Sequence, residues 1–302
     1  MSNRKHTGAV VPVVTPVTSA GDVDKAALER LIDFQLAGGV RGIFVLGTTG
    51  EGASVPRAQR APMVQHTVAH VRGRALVYAG IGDTCLADSL AAANDYFRSG
   101  VDAVVALPPV YFPLSPPELL AYFKLLLDRV AGPVILYNIP STTRVSIPPD
   151  VVAELQGHPR LVGLKDSEND AARHEALIKR FGQDPSFSIF VGVGALMASG
   201  LRQGAHGIVP SVGNLAPDIC QQFCEAAERG DWASVEQKAA RMNAVAALYQ
   251  KGRTLGQSLA ALKAALHLRG VCGRDMLPPL LSVSETELET LRNEMRQLHL
   301  LD

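Results

Sequence analysis

The sequence predicts an α/β chain: a (β/α)8 TIM barrel with a helical extension at its C-terminus. Three observations predict it. Eight short, nearly continuous apolar runs punctuate the chain up to Val209, as expected of parallel strands covered on both faces. Between them lie longer segments of helical period, at a step of about 25–30 residues, the size of a strand plus its crossover. After Val209 the alternation stops and only helical patterns follow. A barrel of this kind takes about 250 residues. An open doubly wound sheet would want Gly-x-Gly-x-x-Gly after the first strand, and the chain has none there.

The strand runs are Ala9–Val14, Gly42–Leu46, Ala75–Ala79, Ala103–Ala106, Pro133–Tyr137, Leu161–Leu164, Ser188–Val191 and Gly207–Val209. Asp24–Gly38 repeats apolar residues at Leu28, Leu31, Ile32 and Leu36. Pro56–Val71 carries Pro in its first turn, a favoured place. Leu86–Ser99 stops at Gly100, and Pro116–Val130 starts after Ser115 with Glu118 at capping-box spacing. Pro148–Leu155, Asp170–Phe181 and Ala195–Gln203 supply the next helices, and Ala216–Glu228 the eighth. Trp232–Gln250, Leu255–Leu268 and Glu285–Leu298 follow without a strand. We therefore expect a barrel over residues 1–230 and a helical domain over 231–302.

Composition narrows the function classes. Lys plus Arg and Asp plus Glu both number 29, so no basic footprint for nucleic acid exists. No uncharged apolar stretch reaches the ~18 residues of a membrane span, and the start at Met1 lacks an apolar leader-like run. The four cysteines are too few for a disulfide framework. Cys220 and Cys224 read as buried side chains rather than a metal pair, since no zinc-spaced partner accompanies them. A cytoplasmic location is expected.

Barrel active sites sit at the C-terminal strand ends. There the sequence sets Thr15, then Gly47-Thr48-Thr49-Gly50-Glu51-Gly52, Tyr111, Tyr137-Asn138, Lys165, Gly192 and Pro210-Ser211. A lysine closing a buried strand is informative: desolvation lowers its pKa, and a neutral amine attacks carbonyl carbon. That chemistry leads to a Schiff base with a keto acid. It needs a proton shuttle, which a phenol beside hydroxyls supplies. Turn amides near Gly47–Gly50 suit a carboxylate. Each residue also has a bland reading: Tyr137 as a core tyrosine, Tyr111 as loop surface, Thr48 and Thr49 as turn formers. Glu51 reads as a structural residue tying the turn amides.

Gly47-Thr48-Thr49-Gly50-Glu51, Pro109-Val110-Tyr111, Tyr137-Asn138-Ile139-Pro140 and Gly163-Leu164-Lys165-Asp166 together resemble the dihydrodipicolinate synthase / N-acetylneuraminate lyase family of class I pyruvate aldolases. The resemblance runs over nearly the whole chain. It implies that Lys165 forms an imine with pyruvate or another 2-keto acid and that Tyr137 shuttles protons. It implies that Thr48 and Thr49 hold the carboxylate, with Thr48 linking Tyr137 to Tyr111. Gly192 and Val209 would line the keto-acid pocket. Tyr111 would reach across a dimer interface in a homotetramer built as a dimer of dimers. No metal and no nucleotide cofactor is implied; the small-molecule partners are a 2-keto acid and an aldehyde.

The chain also departs from its relatives. Lysine-pathway synthases place an arginine two residues after the Pro of Tyr-Asn-x-Pro; here that position is Thr142, and Arg144 is the candidate replacement. Sialic-acid lyases carry acidic residues after the strand-seven glycine; here Gly192-Val193-Gly194-Ala195 has none. Pro108-Pro109-Val110-Tyr111-Phe112 and Lys165-Asp166-Ser167 resemble the branch of the family that acts on 2-keto-3-deoxy sugar acids or 4-hydroxy-2-oxo acids, which implies cleavage or condensation of such an acid. The alternatives are 4-hydroxy-tetrahydrodipicolinate synthase, from pyruvate and aspartate semialdehyde, and a non-catalytic keto-acid sensor.

Overall fold

The computed structural model describes residues 6–301 of the 302-residue chain. Eight parallel strands close into a barrel in sequence order, β8 pairing with β1 through Gly8↔Gly207 and Ala9↔Ile208. The elements run β1 (Gly8–Pro12), α1 (Lys25–Ala37), β2 (Gly42–Val45), α2 (Arg57–Val71), β3 (Leu76–Gly80), α3 (Leu86–Ser99), β4 (Ala103–Ala106) and α4 (Pro116–Arg129). Then come β5 (Val134–Asn138), α5 (Pro140–Thr143), α6 (Pro149–Leu155), β6 (Leu161–Asp166), α7 (Ala171–Phe181), β7 (Ser188–Val191), α8 (Met197–Gln203) and β8 (Gly207–Ile208). The remaining helices are α9 (Pro217–Glu228), α10 (Trp232–Gln250), α11 (Leu255–Leu268) and α12 (Glu285–Gln297).

The helix ends follow the local chemistry. Asp24, Asp170 and Asp231 accept the backbone N–H three residues on at the starts of α1, α7 and α10. Ser115 donates from N and Oγ to Glu118, closing the expected capping box of α4. Gly100 and Gly204 take left-handed conformations that end α3 and α8.

Two apolar layers result. Outward strand residues such as Ile43, Val45, Val104 and Leu136 pack against the helices. Inward residues Val10, Phe44, Tyr78, Val105, Ile135, Tyr137, Phe190 and Val209 fill the lumen. Helices α10 to α12 pack onto α9 and one another beyond the barrel. The sequence reading missed α5, a single turn that Pro140 starts and a left-handed Arg144 ends. It also ended two strands early: Asn138 belongs to β5, and Lys165 and Asp166 belong to β6. Among the described residues no helix is long and apolar enough to cross a membrane. The reading of the first five residues lies outside the described ones.

Candidate active site

Strands β5 and β6 carry the reactive groups. Their register sets Tyr137 beside Lys165 and Asn138 beside Asp166. Gly163 lets β7 approach β6, since a Cβ there would come 2.5 Å from the Ser188 carbonyl oxygen. The Lys165 side chain rises from the lumen, and the residue is only 5% exposed. Its Nζ stands 3.6 Å from the centroid of the Tyr137 ring and 5.1 Å from that of Phe44. Beneath it Val10, Phe44, Tyr78, Val105, Ile135, Phe190 and Val209 leave about 10 Å³ of free space. That is scarcely room for one water. Burial therefore lowers the Lys165 pKa, and Tyr137 opposes this without cancelling it. Burial alone would raise the Tyr137 phenol. The Lys165 charge and hydrogen bonds with Thr48, Lys165 and Ser167 outweigh it and bring the phenol below its usual value. Amine and phenol thus lie in contact, each changing the other's proton affinity.

Thr48 sits in the turn after β2, its Oγ1 sharing a 3.4 Å hydrogen bond with Tyr137 Oη. The turn closes through Glu51 N donating to Thr48 O at 3.1 Å and Gly52 N to Gly47 O at 3.0 Å. Leu46 and Glu51 both adopt positive φ, 57° and 51°, each at a cost of about 1–2 kcal/mol. A Cβ on Gly52 or Gly80 would overlap the Leu46 carbonyl oxygen, so only glycine fits either place. Thr49 is buried beside this turn, and Gly50 O accepts from Thr15 Oγ1 at 2.5 Å. The Glu51 carboxylate does not tie the turn's own amides, as the sequence suggested. It accepts from Leu277 N at 2.8 Å and pairs with Lys263 at 2.6 Å.

Gly192 and Val209 directly follow β7 and β8, Val209 turning into the lumen beneath Lys165. Gly192 N donates to Asp166 O at 2.7 Å, and a Cβ on Gly192 would overlap Ser167 Oγ. Ser167 was read in the sequence only as part of the Lys165-Asp166-Ser167 motif, not as a site residue. Also missed was the polar web behind it. Asn138 Nδ2 donates to Asp166 at 3.0 Å and Glu168 at 2.9 Å, and Arg173 Nε donates to Asp166 at 2.9 Å. Ile147 N donates to Asn138 Oδ1 at 2.9 Å, which fixes the loop after Tyr137.

Two expected residues lie elsewhere. Tyr111 is 77% exposed and stacks edge-on with Phe112; within one chain it forms no hydrogen bond to Thr48. Arg144 is exposed and does not line the cavity over Tyr137. The left-handed turn that ends α5 carries it away, leaving Thr142 and Thr143 on the wall. That cavity, about 420 Å³, runs from Gly47, Thr48 and Tyr137 to Leu255, Leu259 and Leu280. A second, about 450 Å³, opens at Gly192 and Gly194 and is lined further by Ser211, Asn243 and Gln250. Among the described residues no group of three or more His, Cys, Asp or Glu could hold a metal, and Cys220 and Cys224 are buried thiols.

Comparison with known proteins is consistent along the chain. The family model of the dihydrodipicolinate synthetase family matches residues 5–298. A 4-hydroxy-tetrahydrodipicolinate synthase of Anaeromyxobacter sp. (strain Fw109-5) is 32% identical over 293 residues, 97% of each chain. The structure of dihydrodipicolinate synthase from Bacteroides thetaiotaomicron superposes with a TM-score of 0.92 at 32% identity, covering 98% of this chain and 99% of that one. A prophage protein of the dihydrodipicolinic acid synthase family from E. coli K12, solved in complex with pyruvate, gives 0.90 at 28% identity over 97% and 99%.

Proposed function

Because the chain belongs to the dihydrodipicolinate synthetase family, we propose that it is a pyruvate-dependent class I lyase whose imine forms on Lys165. One observation carries the reading: a buried amine with a lowered pKa, packed against a phenol that shares a hydrogen bond with Thr48. The neutral Lys165 amine attacks the keto carbon. Tyr137 protonates the carbinolamine oxygen, water leaves, and the imine becomes the electron sink for breaking or making the next carbon–carbon bond. No cofactor beyond this covalent imine enters the proposal. In the cleavage direction the Tyr137 phenolate takes the proton of the hydroxyl whose carbon departs as an aldehyde. Thr48 and Thr49 hold the keto-acid carboxylate, and the Gly192 backbone leaves room for it. The exposed Val110–Phe112 tip supports a Tyr111 that completes the relay of a second copy, within the homotetramer common in the family.

Incubation with pyruvate and borohydride, read by intact mass, tests the imine. An adduct that disappears in Lys165→Ala supports it; no adduct at saturating pyruvate overturns it and favours a keto-acid sensor.

The relatives' names favour aspartate semialdehyde as the aldehyde, making 4-hydroxy-tetrahydrodipicolinate the product. A second reading rests on Thr142. With threonine there and Arg144 turned outward, no arginine from the loop after Pro140 enters the cavity to bind a distal carboxylate, and Arg60 on its wall donates to Val55 O at 2.8 Å and pairs with Asp83 at 3.6 Å. The hydroxyls and amides of Ser211, Asn243 and Gln250 suit a hydroxylated chain, as in a 2-keto-3-deoxy sugar acid. Pyruvate consumed with aspartate semialdehyde, against pyruvate released from 2-keto-3-deoxy acids, separates the two.

A further inference from the structure

We propose that the buried Glu51–Lys263 pair is a positioning device that sets the keto-acid carboxylate site, so that the helical extension takes part in substrate binding. The inference rests on the imine reading above and deepens it. Glu51 and Lys263 face each other at 2.6 Å with side chains 1% and 0% exposed. Lys263 lies in the middle of α11, and its Nζ also donates to Asp275 O at 2.8 Å. Glu51 Oε2 accepts from Leu277 N at 2.8 Å. One carboxylate thus joins the Gly47–Gly52 turn to both α11 and the segment that follows it.

Stability alone does not account for two charges in this place. A buried ion pair is commonly matched or bettered by apolar side chains of similar volume, because desolvation offsets the attraction. What apolar residues would lack is direction. The turn needs it: Leu46 and Glu51 hold positive φ, a conformation that persists where surroundings over-determine it. Thr15 fixes Gly50 from one side. The pair fixes Glu51 from the other, three residues from Thr48. The cavity over Tyr137 is bounded by this same turn on one wall and by Leu255, Gly256 and Leu259 of α11 on the other. The pair therefore sets the distance between the two walls. Glu51 touches no reacting atom in this scheme and acts through Thr48 and Thr49.

The test compares borohydride trapping of pyruvate with trapping of acetone, a ketone without a carboxylate, in intact protein. Lys263→Met, Glu51→Gln and the double variant are assayed, with circular dichroism reporting the fold. A misplaced carboxylate site lowers the pyruvate-to-acetone trapping ratio by about 10- to 100-fold in folded variants. Lys263→Arg, which keeps the charge, restores part of the ratio. A purely structural role would lower both ketones together and leave the ratio unchanged, which overturns the proposal. The double variant removes both charges and so covers the case in which Lys263→Met leaves a lone buried carboxylate and fails to fold. Loss of folding in all three variants would assign the pair to holding the extension on the barrel and also overturn it. Absence of a pyruvate adduct in the unaltered protein is a separate result that removes the imine reading itself.

Discussion

Tyr137→Phe separates the chemistry from the fold. The ring stays: it packs in the lumen and against Lys165 Nζ at 3.6 Å. Only the hydroxyl goes. Its bond to Thr48 is long, 3.4 Å, but those to Lys165 and Ser167 go with it, so its loss costs about 1–3 kcal/mol of stability. The catalytic loss is larger. A positioned proton-transfer group contributes about 10²–10⁴-fold, which is about 2.7–5.4 kcal/mol of barrier. The variant also loses the partner that raises the Lys165 pKa, so the amine's pKa falls toward the lower value that burial alone would set. The amine then remains neutral at lower pH than in the unaltered protein. Borohydride trapping at long incubation should still saturate, with its pH midpoint moved downward, while steady-state turnover collapses. Turnover within a few-fold of the unaltered enzyme would remove Tyr137 from the shuttle role. A midpoint moved upward would contradict the stated electrostatic relation between phenol and amine.

Three other outcomes are expected. Gly192→Ala drives a methyl into Ser167 Oγ and to 3.2 Å from the Asp166 carbonyl oxygen, an overpacking cost of about 1–3 kcal/mol. Urea denaturation should detect it and pyruvate trapping should weaken; unchanged values in both would deny the close approach. Lys165→Met should raise the melting temperature at pH 7 by about 2 °C or more. The sign follows from the lowered pKa: folding disfavours the ammonium, the penalty is full below the folded pKa, and it vanishes toward the ordinary 10.5. The gain should therefore shrink as pH rises, and a gain that grows with pH would refute it. Arg144→Ala should leave the aldehyde-side KM within about two-fold, as for an ordinary surface change; a large rise would show that Arg144 reaches the cavity in solution.

The barrel was legible because its signals are local. Strands buried on both faces read as unbroken apolar runs, and glycines and capping residues mark where helices stop and start. Lys165 and Tyr137 were legible for a related reason: a lysine or a phenol is conspicuous at the end of such a run. Residues whose role depends on a neighbouring loop were harder. Arg144 looked two positions from a useful place, but Pro140 winds a single helical turn whose left-handed end sends Arg144 outward. Local spacing cannot specify that direction.

The supporting groups fail to show for a deeper reason. Glu51 finds its amide partner 226 residues further along, and Asn138 finds Asp166 28 residues on, across a strand pair. Such partners are chosen by closure of the barrel, not by periodicity, and each half alone reads as an ordinary turn or helix residue. A lysine buried in α11 and flanked in sequence by Ala261, Leu262, Ala264 and Ala265 departs from the amphipathic pattern. An unpartnered ammonium there would cost too much to be retained, so the departure itself requires an anion. The same logic reaches Lys165 with the opposite result. No carboxylate reaches that amine, and its partner is a phenol. Lys263 holds an ion pair with Glu51, while in the proposed scheme Lys165, whose pKa burial lowers, serves as the nucleophile.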